Sequence, residues 1–396
     1  MLIFLCFASG YFLSFALRQI NAVLAQPMMT EFGLTNAQLG SLSSAYFVSF
    51  ALMQLPLGLW LDRFGSRRTH SLLLLFSVAG CVLHALATGY AQLWIGRALI
   101  GVGVAGALMA ALRAFRHLYP ANKQQPLAAW MLAFGSMGAL STTLPVQLAL
   151  PVFGWRGVFW IAAGCLFASA LAIFFLLPKN ESTSKGEKFS SYKEIFSEPY
   201  FWRFGILSIV VHGSFVSLQS LWMGPWLVKV VGLTPTQSAQ TLFAYTAVLM
   251  VGFLMLAKIS VKIADAKVLR TVCISSALAI TSLLLIALLP GKVWWLWFGY
   301  AIAGLSFTMI QTHVAMQFSD DQSGRALAAY NLLIFVGAFF SQWLFGVLID
   351  YLKTMVQEPE AFRGSMLVFV CIQVIALGVT VFWWVQPPKT RLNPFV

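Results

Sequence analysis

Twelve apolar stretches, each long enough to cross a membrane as a helix, constrain the fold of this 396-residue chain more than any other feature. A helix rises about 1.5 Å per residue, so about 20 apolar residues cross the roughly 30 Å of hydrocarbon in a bilayer. Only 9% of the residues are charged and 60% are hydrophobic, whereas a soluble domain carries about 25% charged residues. The sequence therefore predicts an all-α membrane protein with twelve transmembrane helices, which we number as spans one to twelve. They lie at about 2–27, 38–61, 70–90, 92–118, 124–150, 156–178, 202–230, 236–261, 268–290, 293–317, 325–351 and 364–386.

The basic residues predict which side of the membrane each loop faces. Apart from Arg18, the 25 Lys and Arg residues fall in loops or near the ends of spans. With the N-terminus inside, six of them face outward: Arg97, Arg156, Lys229, Lys292, Lys353 and Arg363. About three times as many face inward, and inner loops of membrane proteins carry such an excess. We therefore expect a multi-pass protein of the inner (plasma) membrane with cytoplasmic termini. The net charge of +13 is then a consequence of topology, and no nucleic-acid partner is expected.

Three sequence matches relate the first half of the chain to the second. They are GLTNAQ (33–38) with GLTPTQ (232–237), Tyr46 with Tyr245, and LAAW (127–130) with LAAY (327–330). All three are separated by about half the chain length, which is typical of two parallel six-helix repeats with a cavity between them. We expect an N-terminal bundle over 1–178, a cytoplasmic linker over 179–201 and a C-terminal bundle over 202–396.

Three motifs carry a resemblance to a known family. GLWLDRFGSRR (58–68) resembles the loop motif G-x-L-x-D-R-x-G-R-R between helices two and three of the major facilitator superfamily. RALIGVGVAG (97–106) is similar to the family's helix-four motif R-x-x-x-G-x-G, and GWRGVF (154–159) to its entry into helix six. The resemblance implies a secondary transporter that works by alternating access. We expect a monomer without a cofactor that binds a small molecule.

The loop motif implies a conformational latch made of Gly58, Asp62 and Arg63. Gly58 would let span two approach a neighbouring helix closely. Asp62 would face the positive end of span eleven, which begins near Gly324, at a gain of about 0.3–1 kcal/mol if exposed. Arg63 would hold the loop on the inner side.

The helix-four motif has a packing interpretation and a binding interpretation. Arg97 packs against carbonyl groups of span one in the first and binds substrate in the second. Gly101 and Gly103 are expected to allow tight packing of span four, with span one as the expected neighbour. Although GVGVAG also satisfies the pattern of dinucleotide sites, it has no preceding strand and no acid about twenty residues later.

Arg18 is the charged residue that lies deep within a span. All twelve acids map to loops or to the ends of spans, so no carboxylate of the chain is placed to balance it. A guanidinium in hydrocarbon costs at least about 2.5 kcal/mol and marks a functional site or a partner. Tyr11, Ser14, Arg18 and Asn21 form one polar face of span one. One interpretation is that Arg18 binds an anionic substrate with a carboxylate or phosphate group. The alternative is that it reaches the outer headgroups or caps helix carbonyls.

Five further residues are candidates for the substrate site. Asn21 extends the face that carries Arg18, and Tyr46 and Tyr245 are hydroxyl groups related by the repeat. His212 and Gln219 share one face of span seven. The residue of the second half that corresponds to Arg18 in the repeat is Ser217, which lies on a neighbouring face. His212 is the candidate for coupling transport to protons.

The leading functional hypothesis is therefore secondary transport of a small organic anion. The alternatives are efflux of neutral or amphipathic compounds through an aromatic pocket, and a transporter-like sensor that does not transport. An enzyme is not expected, because the sequence shows no nucleophile–base pair and no cluster of metal ligands.

Overall fold

The computed structural model describes residues 2–178, 192–259, 265–289, 293 and 295–385. Most of the predicted linker, 179–191, and the loop at 260–264 lie outside the described residues. Within the described ranges every regular element is a helix. Nine helical segments there are long and apolar enough to cross a membrane. This number is below twelve because the two helices of spans two and three join at Gly65 and count as one segment, span ten has a shorter apolar stretch, and span five is not among the nine.

The first six spans are built from long, bent helices. Span one consists of the helices Leu2–Gln19 and Asn21–Phe32, and spans two and three lie within Asn36–Ala85, as two helices separated by the non-helical residue Gly65. Gly65 has a φ of 73°, a conformation that favours glycine. The remaining helices are Tyr90–Val104 and Ala107–Leu118 for span four, Ala121–Ser141 for span five, and Leu144–Leu176 for the end of span five and span six.

The last six spans repeat this arrangement, after a short helix Tyr192–Ser197 that precedes span seven. Span seven runs from Pro199 to Lys229 and contains two π-helical turns, Ser208–His212 and Leu218–Trp222. The other helices are Pro235–Ile259, Asp265–Leu288, Leu296–Gly304 with Phe307–Met316, Asp320–Leu352 and Glu358–Val385.

The repeated GLT motifs form the same local structure in both halves. Gly33 and Gly232 have φ values of 61° and 78°, so each reverses the chain after a helix. Thr35 then accepts a hydrogen bond from the Gln38 N–H, and the Gln38 side chain accepts one from the Thr35 N–H. Thr234 and Gln237 make the same pair of bonds. We call the membrane side that carries both motifs the GLT side, and the opposite side, where the halves are connected, the linker side.

The glycines of the helix-four motif pack against spans two and three, so the expectation of span one as their neighbour is wrong. A Cβ atom at Gly101 would collide with the Tyr46 carbonyl and the Ser49 hydroxyl, and one at Gly103 would collide with Ser77. These contacts join span four to the preceding hairpin of helices. Small residues allow such close approach of helix backbones in membranes.

The GWRGVF motif ties the start of span six to span one on the GLT side. Trp155 donates to Glu31 through its indole N–H at 2.6 Å, and Arg156 forms an ion pair with the same carboxylate. Arg156 also donates to the Ala87 carbonyl at 3.0 Å, at the end of span three. Arg363 makes the related bond to the Ala287 carbonyl in the second half, so the repeat extends to these arginines.

Replacing Glu31 by glutamine is expected to lower stability at pH 7 by about 1 kcal/mol or less, because this ion pair is partly exposed. Partial burial would raise the pKa of Glu31, but the hydrogen bonds from Trp155 and Arg156 and the Arg156 charge outweigh it, so the pKa lies below its ordinary value of 4.5. Such a contribution is complete above pH 4.5 and is lost as the pH falls through the folded-state pKa. Thermal unfolding of both proteins at pH 7 and pH 4 should show the difference shrinking at pH 4. An equal difference at both values would mean that the charge is not its cause.

Candidate functional site

The two halves of the chain pack against each other on the GLT side. A Cβ atom at Gly40 of span two would collide with the Gln342 carbonyl of span eleven. One at Gly346 of span eleven would collide with the Asn36 carbonyl of span two. Gly224 of span seven meets the Ala22 carbonyl of span one in the same way. These contacts hold the backbones of the two halves close together on this side.

A carboxylate of the second half caps a helix of the first half at this interface. Asp350 accepts hydrogen bonds from the Asn36 N–H at 3.1 Å, the Asn36 side-chain amide at 2.8 Å and the Ala37 N–H at 2.7 Å. The first N–H groups of a helix have no partner within the helix, and they favour a negative charge. Asp350 therefore links the end of span eleven to the start of span two.

The linker side of the same two helices is open. A cleft between spans two and eleven is lined by Leu55, Pro56, Leu59 and Leu332, with Tyr192 and Phe196 of the short helix. Because a Cβ atom at Gly58 would meet nothing within 4 Å, the predicted close approach of span two at Gly58 is absent here.

Among the described residues, Asp62 likewise does not make the contact with the start of span eleven that we expected. It forms an ion pair with Arg113 at the end of span four, in its own half. A Cβ atom at Gly324, where span eleven begins, would also meet nothing within 4 Å. Arg63 is exposed and lies over the ring of its neighbour Phe64 at 5.3 Å. The predicted latch residues are therefore not engaged with the second half in this conformation.

Arg18 has no polar partner among the residues that the structure describes. Its side chain is partly buried, and its Nε atom is buried without a hydrogen bond. No ion pair or hydrogen bond reaches its guanidinium group. Such a group carries five N–H donors in a fixed plane that matches the oxygen atoms of a carboxylate or phosphate.

Aromatic rings surround this guanidinium. The Arg18 Cζ atom lies 4.5 Å from the centre of the Phe15 ring, 5.2 Å from Phe50, 5.3 Å from Phe335 and 6.0 Å from Tyr46. The attraction of a cation to one aromatic ring is about 0.5–1 kcal/mol at exposed sites and about 2 kcal/mol when water is excluded. Phe335 belongs to span eleven, so the ring cluster contains residues from both halves of the chain.

Arg97 packs against residues that neighbour Arg18. It is fully buried and donates to the Leu17 carbonyl at 2.8 Å, next to the break between the two helices of span one. A side chain that takes a helix carbonyl in this way is a recognised cause of a kink. Its guanidinium also lies 5.4 Å from the Tyr46 ring. Arg97 thus makes a packing contact within the first half.

The two tyrosines related by the repeat have different surroundings. The Tyr46 ring lies beside Arg18, but its hydroxyl group donates to the Ser14 carbonyl at 3.1 Å and is not free to bind a ligand. The Tyr245 hydroxyl is buried and unpartnered, and no described contact brings it to Arg18. The structure therefore places the Tyr46 ring, and not a pair of hydroxyl groups, at the site.

Two of the remaining candidates, Asn21 and His212, carry buried polar atoms without partners. Asn21 follows the break in span one, is fully buried, and neither atom of its side-chain amide has a hydrogen bond. His212 lies in the first π-helical turn of span seven with its Nδ1 atom unpartnered, and Gln219 lies in the second. Such turns often occur at functional sites. Within the described residues, no direct contact joins these three side chains to Arg18.

The sequence reasoning missed Phe15, Phe50 and Phe335. Phe50 lies one helical turn after Tyr46, which is the spacing that places two side chains on one face. This spacing was therefore a usable indication for Phe50. No sequence pattern pointed to Phe335, because its contact with Arg18 depends on the packing of spans one, two and eleven.

Comparison with known proteins identifies the family. Residues 7–341 match the Major Facilitator Superfamily. The chain belongs to this superfamily. It is therefore an all-α, multi-pass membrane protein, as the sequence predicted, and the relatives that we describe below are transporters.

Two curated relatives and one solved structure illustrate the range of the superfamily. The chain is 28% identical over 256 residues to "Probable nitrate/nitrite antiporter NarK1" of Thermus thermophilus, which covers 61% of this chain and 57% of the relative. It is 31% identical over 150 residues to "Probable sulfoacetate transporter SauU" of Cupriavidus necator, with 38% and 35% covered. The chain thus spans between about a third and about three fifths of the length of these relatives. The fold is similar to that of a bacterial homologue of the human lysosomal transporter Spinster in an inward-facing and unoccupied conformation, with a TM-score of 0.79, 20% identity, and 99% and 98% of the two chains covered.

Proposed function

We propose that this protein is a secondary transporter that moves a small organic anion across the inner membrane, and that Arg18 binds the anionic group. The observation that carries the proposal is the unpartnered guanidinium between the two halves. A charged group in a water-poor site is costly unless an opposite charge reaches it. The described part of the chain supplies no such charge, so a carboxylate or phosphate on the substrate would supply it.

The relatives support an anionic substrate. The names of the two curated relatives refer to nitrate or nitrite and to sulfoacetate, which are anions. The ring cluster around Arg18 would surround the charged end of the substrate. We propose that the rings exclude water and thereby strengthen the ion pair, since electrostatic attraction grows as the local dielectric constant falls.

We propose alternating access as the mechanism, with the present structure open toward the cytoplasm. The halves are packed on the GLT side and separated at Gly58 and Gly324 on the linker side. In the opposite state, span two would close on span eleven at Gly58, and Asp62 would exchange Arg113 for the positive end of span eleven. Gly58, Asp62 and Arg63 would then act as the latch. The cytoplasmic termini and the boundaries 1–178, 179–201 and 202–396 belong to the same proposal.

Asn21, His212, Gln219 and Tyr245 complete the proposed substrate path. Their polar side-chain atoms, which are buried and unpartnered in Asn21, His212 and Tyr245, would bind parts of the substrate that lie beyond Arg18 or the water that accompanies it. His212 is the proposed proton-coupling group, because a neutral imidazole in a π-helical turn can take up a proton without rearranging a hydrogen bond.

Thermal stability of the purified protein provides the test of the proposed substrate class. Nitrate, sulfoacetate and benzoate are each compared with water, and benzoate is also compared with neutral benzamide of nearly the same shape. A ligand at 100 times its Kd stabilises the folded protein by about 2.7 kcal/mol. We expect stabilisation by at least one anion and none by benzamide. Equal stabilisation by benzoate and benzamide would favour the alternative, a carrier of neutral or amphipathic compounds.

A further inference from the structure

We infer that Phe335 couples occupation of the Arg18 site to movement of the two halves, and that the protein is therefore an anion exchanger. This inference rests on the proposed function of Arg18. It adds a transport mode, exchange instead of net flux, and a residue responsible for that mode.

Phe335 is the bridge between the halves at this site. Its ring centre lies 5.3 Å from the Arg18 guanidinium of span one, 4.9 Å from the Phe50 ring and 5.9 Å from the Phe47 ring, both of span two. Phe335 itself belongs to span eleven and is 8% exposed. Phe15, Tyr46 and Phe50, the other described rings around the guanidinium, belong to the first half.

The charge of Arg18 determines how strongly this bridge holds. The negative face of an aromatic ring attracts a cation, and the attraction is strongest where water is excluded. When an anion pairs with the guanidinium, the pair has no net charge, so its attraction to Phe335 weakens. The empty site thus holds span eleven against spans one and two, and the occupied site releases it.

The consequence is a difference in rate between the two forms of the carrier. A ligand can shift a conformational equilibrium only through its different affinities for the states, and here it removes an attraction that stabilises the empty state. The occupied carrier crosses between its two open states faster than the empty one. Because net transport requires the empty carrier to return and exchange does not, exchange is faster than net flux.

Flux measurements in proteoliposomes test this inference with labelled nitrate and labelled sulfoacetate as probes. Exchange is measured with the same unlabelled anion inside, and net flux is measured into vesicles that contain none. For the wild-type protein we expect exchange to be about tenfold faster than net flux. In Phe335→Leu, which keeps an apolar side chain but has no ring, the ratio of exchange to net flux, measured at saturating anion, should fall about tenfold.

Two further variants separate coupling from loss of structure. Phe15→Leu removes a ring at 4.5 Å from Arg18 within the same helix, so it is expected to alter the apparent affinity but not the ratio of exchange to net flux. Phe335→Tyr keeps an aromatic ring and should keep the wild-type ratio. Equal rates of exchange and net flux in the wild type, or an unchanged ratio in a folded Phe335→Leu protein, would overturn the inference while leaving anion transport intact. Absence of flux of both anions, together with no thermal stabilisation by any anion, would overturn the proposed function itself and the inference with it.

Discussion

Replacing Arg18 by glutamine is expected to reduce anion uptake by about thirtyfold or more. Truncating one partner of a buried charge pair costs about 2–5 kcal/mol, and every 1.4 kcal/mol is a factor of ten in affinity. Glutamine keeps a polar side chain in the ring cluster but lacks the positive charge. The measurement is initial uptake of labelled nitrate and sulfoacetate into proteoliposomes, together with thermal stabilisation by the same anions.

Arg18→Lys separates charge from geometry at this position. Lysine keeps the charge but lacks the planar pair of N–H groups that binds a carboxylate with two parallel hydrogen bonds. We therefore expect it to retain about a tenth of the wild-type uptake. Arg116→Gln is a matched control, because it also removes one arginine charge, from an exposed position. If Arg18→Gln retained more than half of the wild-type uptake, Arg18 would not be the binding group for the anion.

The position of Arg18 within the membrane could be recognised from sequence because this charged residue interrupts a long apolar run. A span is a run of residues, so a charged residue inside the run is visible without any knowledge of packing. The GLT repeats were visible for the same reason, since they are local turns with a glycine and a capping box. Features that depend on neighbours in sequence were thus the ones that the sequence predicted well.

The surroundings of Arg18 depend on contacts between distant spans, and the sequence did not predict them. Phe335 contacts Arg18 only because spans one, two and eleven meet at one depth. The expected partner of Asp62 was wrong for a related reason. The partner of a loop carboxylate depends on the conformation of the whole molecule. In this conformation Asp62 lies beside Arg113 and not beside the start of span eleven.

The two halves differ at the carboxylate cap that Asp350 forms on span two. Asn36 supplies two of the three N–H groups that bind Asp350, and its counterpart in the second GLT motif is Pro235, which has no N–H. The residue that corresponds to Asp350 in the first half is Leu150. The symmetry-related contact therefore lacks both the acceptor and a donor. The carboxylate cap forms on one side of the pseudo-symmetry axis only, so span eleven and span two carry the charged part of the GLT-side closure.

Gly346→Leu is expected to open the GLT side and to reduce transport by more than tenfold. A side chain at Gly346 would collide with the Asn36 carbonyl of the other half, against backbone that has little freedom to move. The collision would separate Asp350 from the start of span two, with the loss of three hydrogen bonds, at about 1.5–3 kcal/mol for each bond to a charged group. The state with a closed GLT side would then be the less stable one.

Gly58→Leu is the matched variant on the linker side, and it is expected to leave the present conformation unchanged. A Cβ atom at Gly58 meets nothing within 4 Å, so the present structure accommodates the side chain, whereas the proposed closure against span eleven does not. The two conformations are distinguished by thiol labelling of Ala37→Cys on the GLT side and of Leu59→Cys in the linker-side cleft. Both are made in a protein whose five native cysteines are replaced.

We expect Gly346→Leu to increase labelling at position 37 and to decrease it at position 59, and Gly58→Leu to do neither while still abolishing transport. Asp350→Ala should act in the same direction as Gly346→Leu but less strongly, because it removes the cap without a collision. If Gly346→Leu left labelling at position 37 unchanged, contact between spans two and eleven would not control access from the GLT side. If Gly58→Leu transported normally, closure of the linker side would not require close approach at that glycine.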